Sequence, residues 1–158
     1  MGDHGIAIMA ARHGFEDVPV DSDCAALHIL AQDMLATGVN IKAMRDPTRG
    51  GLATVINEFA AASNCAIVIK EDAVPVKEAV RGACELLGFD PLYLANEGKL
   101  VAVVAKEGAE TLLAAMRKNP LGIHAAIIGE VVKDPKRKAL LETPIGNKRF
   151  LDMLTGEQ

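Results

Sequence analysis

Apolar residues fall into alternating blocks of helical and strand spacing along this chain. Leu27, Leu30, Ala31, Met34 and Leu35 share one helix face, which predicts a helix over 24–38 with Asp21 to Asp23 as caps and Gly38 as its stop. Residues 39–45 read as a strand. Leu52, Val55, Ile56 and Phe59 then predict a helix over 51–62, ending before Ser63-Asn64. Residues 66–70 (Ala-Ile-Val-Ile-Lys) are a β-branched strand. Pro75 opens a helix over 76–87 that Gly88 closes, and a short strand is expected at 92–94 after Pro91. Leu100 to Ala105 is a strand, 107–118 a helix broken by Asn119-Pro120, and Ala125 to Val132 a further strand. A charged turn, Lys133 to Lys138, follows; Leu140 to Glu142 is expected to pair back as a hairpin partner, with 148–151 as a last edge strand. This order predicts an α+β fold: an α/β sandwich over residues 1–158, with a mixed sheet and a split βαβ, ferredoxin-like topology.

Size and composition narrow the class. The 158 residues suffice for a hydrophobic core, half of them are apolar, and aromatics are scarce. Ala, Val, Ile and Leu must therefore build the interior. The net charge of −4 gives no reason to expect nucleic acid or an anionic membrane as partner. No apolar run approaches the roughly 20 residues needed to span a bilayer, and the opening residues do not read as a signal peptide. Cys24, Cys65 and Cys84 are spaced widely, which suggests buried, reduced thiols in a cytoplasmic protein. The abrupt start, Gly2-Asp3-His4-Gly5 running straight into Ile6-Ala7-Ile8-Met9 as a loop feeding a strand or helix, is expected of a piece of a longer chain.

The chemistry concentrates in a few short segments. Arg45-Asp46-Pro47-Thr48-Arg49-Gly50-Gly51-Leu52 places an acid, a hydroxyl and a guanidinium beside a glycine pair, between a strand and a helix. Free helix N–H groups, the helix dipole and a nearby cation make such a turn suited to phosphate. The plainer alternative is a helix start capped by Thr48 or Asp46, with Arg49 as surface charge. Gly2-Asp3-His4-Gly5 is either a ligand-contacting loop or a frayed terminus. Asn96-Glu97-Gly98-Lys99 suits a tight turn with positive φ at Gly98, or else holds Glu97 at a cleft edge as general base, partly buried. Cys24 and His28 stand four apart, but no second pair completes a zinc site, and no metal site is assigned to this chain. Lys133 to Lys138, interrupted by Asp134 and Pro135, reads as a solvated turn.

Three of these motifs, in this order, carry a resemblance. Gly2-Asp3-His4-Gly5-Ile6-Ala7, then Arg45 to Leu52 with Asn57-Glu58, then Tyr93-Leu94-Ala95-Asn96-Glu97-Gly98-Lys99-Leu100 resemble the C-terminal half of the HypE family of hydrogenase expression/formation proteins. That family lies within the PurM-like, aminoimidazole ribonucleotide (AIR) synthase superfamily. The Asp-Pro-Thr-Arg-Gly-Gly string points to the superfamily; the Gly-Asp-His-Gly opening with Ala-Asn-Glu-Gly points to HypE.

The resemblance implies a homodimeric protein whose N-terminal half holds most of the acids for Mg2+ and ATP, and whose C-terminal half closes the nucleotide cleft. It implies that a HypF-like partner delivers a carbamoyl group to a C-terminal cysteine, and that ATP then drives its dehydration to thiocyanate, source of the cyanide ligands of [NiFe]-hydrogenase. HypC- and HypD-like maturation proteins are further expected partners. Asp46, Thr48, Arg49, Gly50 and Gly51 are assigned to the nucleotide phosphates, Glu97 to proton removal from the carbamoyl nitrogen, and Asp3, His4 and Asn96 to the cleft loops. The family's N-terminal half and terminal Pro-Arg-Ile-Cys are not in this sequence, so the chain alone is expected to be catalytically silent. Other readings are a superfamily relative of the selenophosphate synthetase or thiamine-monophosphate kinase type, or a non-catalytic docking module for maturation proteins.

Overall fold

The computed structural model describes residues 1–13, 19–134 and 138–153, and the side chain of His13 is not among the described ones. Positions 135–137 of the expected charged turn and the tail 154–158 lie outside them.

Helix α1 spans Asp3–His13, so the opening motif is neither frayed nor a loop: its acid starts a helix. Helix α2 covers His28–Ala36 and is shorter than expected, because Asp21, Ser22 and Asp23 do not cap it. Ser22 and Asp23 bond to other segments instead. Gly38 ends this stretch in the left-handed region, as the periodicity predicts. Strand β1, Ile41–Arg45, leads through a turn into α3, Gly51–Ser63, which Asn64 closes at φ 58°. Strand β2, Ala66–Lys70, is buried over its first four residues. Helix α4, Glu78–Leu87, ends at left-handed Gly88.

The strand expected at 92–94 is instead a 3-10 turn, Pro91–Tyr93. Proline stands at its start, and the Asp90 carboxylate accepts the Leu92 N–H at 2.9 Å, which favours a turn over an extended chain. Strand β3, Val101–Val104, follows, and a 3-10 turn, Lys106–Gly108, leads into α5, Ala109–Met116. Strand β4 begins only at Gly129 and runs to Val132; β5 is Ala139–Glu142 and β6 is Lys148–Phe150.

The expected mixed sheet is present with order β4-β2-β5-β6, while β1 and β3 form a separate antiparallel pair. β2 runs antiparallel to β4 and parallel to β5. The hairpin expectation is thereby corrected: Leu140 to Glu142 lies beside β2, not beside 129–132, and β6 is its antiparallel neighbour. β2 is thus an interior strand; Ile67 and Ile69 on one face pack into the core with α3, and Val68 on the other face is buried as well.

The main core lies between α3 and this sheet, where Leu52, Ala53, Ile56 and Ala60 meet Ile67, Ile69, Leu141 and Leu151. Burying each large aliphatic side chain of this kind contributes about 1.5–3 kcal/mol. α1 and α4 meet through Ile6, Val80, Ala83 and Cys84, joined by Leu94. Leu30 and Met34 of α2 with Leu112 of α5 cover the β1–β3 pair. Of the three cysteines only Cys84 is buried; Cys24 is exposed in the segment before α2 and Cys65 is half-buried.

Candidate functional site

The turn between β1 and α3 is built by its glycines. Gly50 and Gly51 both adopt left-handed backbone, at φ 69° and 61°. A Cβ on Gly51 would lie 2.6 Å from the carbonyl oxygens of both Leu92 and Leu94, so only glycine lets the two segments touch. Gly50 is the N-cap of α3, and no side chain caps the helix. Neither Thr48 nor Asp46 therefore fills the capping role weighed for them. The Thr48 carbonyl accepts the Gly51 N–H at 3.1 Å and the Gly50 carbonyl accepts the Thr54 N–H at 3.2 Å, while the amides between them, Leu52 and Ala53, precede the first intrahelical acceptor. Asp46 and Arg49 are exposed, Thr48 and Gly50 half-buried, and Arg49 pairs with no described residue. An uncapped helix start beside a free guanidinium is a donor set that fits a phosphate.

Asn96, buried at 0% exposure, ties the three motifs together. Its Oδ1 accepts the Gly2 N–H at 2.8 Å, and its Nδ2 donates to the carbonyls of Leu94 at 2.9 Å and Pro47 at 3.2 Å. Gly5 adds a backbone bond to the Ala95 carbonyl at 3.0 Å. The Asn96 side chain is thus committed to the protein's own backbone and joins the loops rather than reaching out of them.

Asp3 is also buried. Lys99 Nζ donates to its Oδ2 at 2.6 Å, and Lys77 Nζ sits 2.6 Å from Oδ1 as an ion pair off the axis of a good hydrogen bond. Burial alone would push this carboxyl up; Lys77 and Lys99 outweigh it and hold Asp3 well below the usual carboxylate range. Lys99 also donates to Asp23 Oδ2 at 2.5 Å. His4 is half-buried with Nδ1 2.8 Å from Ser22 Oγ. The cluster is held on every side within the protein, so it organises the loops.

Glu97 is exposed, so the expected partial burial is not found. Gly98 departs from expectation as well: it does not have positive φ. Its reason is proximity, since a Cβ there would lie 1.6 Å from the Asp23 carbonyl oxygen. From the sequence, Ser22 and Asp23 read only as helix caps and Lys99 only as part of its turn; their pairing is not foreseen. Asp23 and Lys99 stand 76 positions apart, and no local pattern announces their pairing.

Fold and loops together define the class: a mixed α/β domain that brings an uncapped helix start, a buried acid cluster and a carboxylate-bearing turn side by side. The chain belongs to the family of AIR synthase related proteins, C-terminal domain, whose model matches residues 1–142. It is 52% identical over 160 residues to carbamoyl dehydratase HypE of Rhizobium leguminosarum bv. viciae, a match covering 100% of this chain and 46% of that protein. Among solved structures it is similar to the hydrogenase maturation protein HypE in complex with ATP, with TM-score 0.93 and 44% identity over 99% of this chain and 49% of that one. It is equally similar to a chain of a HypE–HypF complex, with TM-score 0.93 and 43% identity over 98% and 50%. The chain spans about half the length of the curated relatives it matches.

Proposed function

We propose that residues 1–158 form a single AIR synthase-related C-terminal domain of an ATP-dependent carbamoyl dehydratase acting in [NiFe]-hydrogenase maturation. The observation that carries this reading is the junction at Asn96, which holds the Gly2–Gly5, Pro47–Gly51 and Leu94–Lys99 segments together. A domain built only to dock a partner needs no uncapped, doubly left-handed glycine turn set beside such a junction.

ATP supplies a phosphoryl group that turns the carbamoyl oxygen of a thiocarboxamide into a leaving group. In this reading the first-turn amides of α3 and Arg49 hold phosphate, and Gly50 and Gly51 let the backbone approach it. Glu97, exposed on its turn, takes a proton from the carbamoyl nitrogen. Asp3, His4 and Asn96 fix the loops that carry these groups. Among the described residues no three His, Cys, Asp or Glu side chains gather where they could hold a metal ion. Mg2+ is assigned, as the resemblance implies, mostly to acids of the N-terminal half of the longer protein.

The HypE of the HypE–HypF complex supports a HypF-like carbamoyltransferase as partner. HypC- and HypD-like maturation proteins, homodimerisation of the longer protein and a cytoplasmic location complete the reading. Among the described residues, no helix is long and apolar enough to cross a membrane. The test is direct. The longer protein carrying this domain, loaded with carbamoyl by its transferase, should lose the mass of a water from the carrier cysteine when ATP is added. An adduct that keeps its mass while ATP is consumed would overturn the proposal.

A further inference from the structure

The turn that carries Glu97 is gripped by a segment distant in sequence. Asp23, in the stretch before α2, accepts the Glu97 backbone N–H through Oδ1 at 3.1 Å and the Lys99 ammonium through Oδ2 at 2.5 Å. Residues on both sides of Gly98 therefore bond to one carboxylate. Between them, the Asp23 carbonyl oxygen occupies the space where a Gly98 Cβ would stand. Lys99 is fastened a second time, to buried Asp3 on α1. The Glu97 side chain is exposed while its backbone is locked.

We infer that Asp23 is a positioning residue, one that fixes the backbone of the Glu97 turn so that the Glu97 carboxylate meets the substrate nitrogen at a set place. A proton-accepting group on a free turn must find its orientation anew in each turnover, and misplacement by about 1 Å costs on the order of a hundred-fold in rate. Charge-assisted bonds to a carboxylate are among the stronger means of holding such a turn. Burial would raise the Asp23 carboxyl, but Lys99 and the Glu97 N–H more than offset this and keep it below the usual carboxylate range. It thus stays ionised, as both bonds require. The inference rests on the reading of Glu97 as the proton acceptor.

The test uses the longer, carbamoyl-loaded protein, with ATP-driven loss of water followed by mass spectrometry. Asp23→Ala should lower kcat about ten- to hundred-fold, with the KM for ATP changed less than about two-fold and carbamoyl loading intact. Asp23→Asn, which keeps an oxygen for the Glu97 N–H but loses the charge facing Lys99, should recover part of that loss. An Asp23→Ala variant with wild-type kcat, or one whose kcat and ATP affinity fall together, overturns the inference. Should the alanine variant not fold, Asp23→Asn decides alone: a lowered kcat supports the inference and an unchanged one overturns it. Glu97→Gln is measured alongside. If that variant keeps the wild-type rate, the Glu97 reading falls and takes this inference with it; if it is slow while both Asp23 variants are normal, only the positioning role falls.

Discussion

Asn96 and Pro47 are joined twice: the backbone N–H of Asn96 donates to the Pro47 carbonyl at 3.1 Å, and its side-chain Nδ2 donates to the same oxygen at 3.2 Å. Pro47 is itself buried and has no N–H to offer, so its carbonyl is the group through which the glycine turn can be held. The remaining donor and acceptor of the Asn96 amide reach Leu94 and Gly2. The orientation of the amide follows from its surroundings, with two carbonyls on one side and one N–H on the other.

Replacing Asn96 should therefore cost stability in an order that size alone does not predict. Asn96→Ala strands the Gly2 N–H and removes two donors, for a loss of about 3 kcal/mol. Asn96→Asp keeps the shape but turns an acceptor toward two carbonyl oxygens, and should cost more than alanine. Urea midpoints of the two variants provide the check. Aspartate tolerated better than alanine would show that the network does not hold this corner.

Two glycines separate close approach from backbone strain. Gly98→Ala must push its Cβ against the Asp23 carbonyl, a backbone atom that cannot swing aside, and should destabilise by several kcal/mol. Gly82 lies exposed within α4, and a Cβ there meets nothing within 4 Å. Gly82→Ala should stabilise by about 0.5–1 kcal/mol through helix propensity. Thermal melts of both variants should move in opposite directions.

The buried ion pairs give stability a pH dependence whose sign can be worked out. The Asp3 carboxyl lies below its ordinary value in the folded protein, because Lys77 and Lys99 outweigh the effect of burial. Its contribution is therefore complete above the unfolded value of about 3.9 and is lost as pH falls from there through the folded value. Asp23 is shifted the same way and adds to the trend. Melting temperature should hold steady near neutrality and fall steadily below about pH 4. Asp3→Asn should melt lower at pH 7, since it removes the charge that Lys77 and Lys99 face, and should show a shallower acid decline. An unchanged acid slope would assign the trend to other carboxylates.

The parts of this domain that its sequence reveals are those with local causes. The apolar periodicity of α3, the β-branched run of β2 and the left-handed stops at Gly38 and Gly88 depend on residues a few positions apart. The motif segments were legible too, because glycine beside charge is locally unusual. What could not be read was pairing across distance. β5 joins β2 in parallel, so nothing near Leu140 distinguishes it from a hairpin partner of β4. Asp23 looks like a helix cap until Lys99 and the Glu97 amide are brought to it. Asp3 looks like a terminal residue until two lysines close over it.

Arg49 separates binding from folding. It is exposed and pairs with no described residue, so Arg49→Ala should change stability by no more than about 0.5 kcal/mol. If it contacts phosphate in the longer protein, losing a charge-assisted hydrogen bond costs about 1.5–3 kcal/mol, which is ten-fold or more in ATP affinity. Calorimetric titration of ATP into the folded variant measures this. A collapsed melting temperature with unchanged affinity would make Arg49 structural.

Glu97 is the sharpest test of the chemistry, because its surroundings make its side chain dispensable for folding. The turn is held through the Glu97 backbone N–H and through Lys99, while the carboxylate itself is exposed. Glu97→Gln leaves those bonds in place and keeps nearly the same volume, so the melting temperature should stay within the range of a neutral surface change, about 0.5 kcal/mol. What glutamine cannot do is accept a proton from the carbamoyl nitrogen, and loss of such a group typically costs 10²–10⁴-fold in rate. The variant of the longer protein should therefore accept carbamoyl and bind ATP, then stall before thiocyanate. Mass spectrometry of the carrier cysteine distinguishes the two adducts by the mass of one water. Thiocyanate formed at the normal rate would remove Glu97 from the chemistry and leave this domain with phosphate positioning alone.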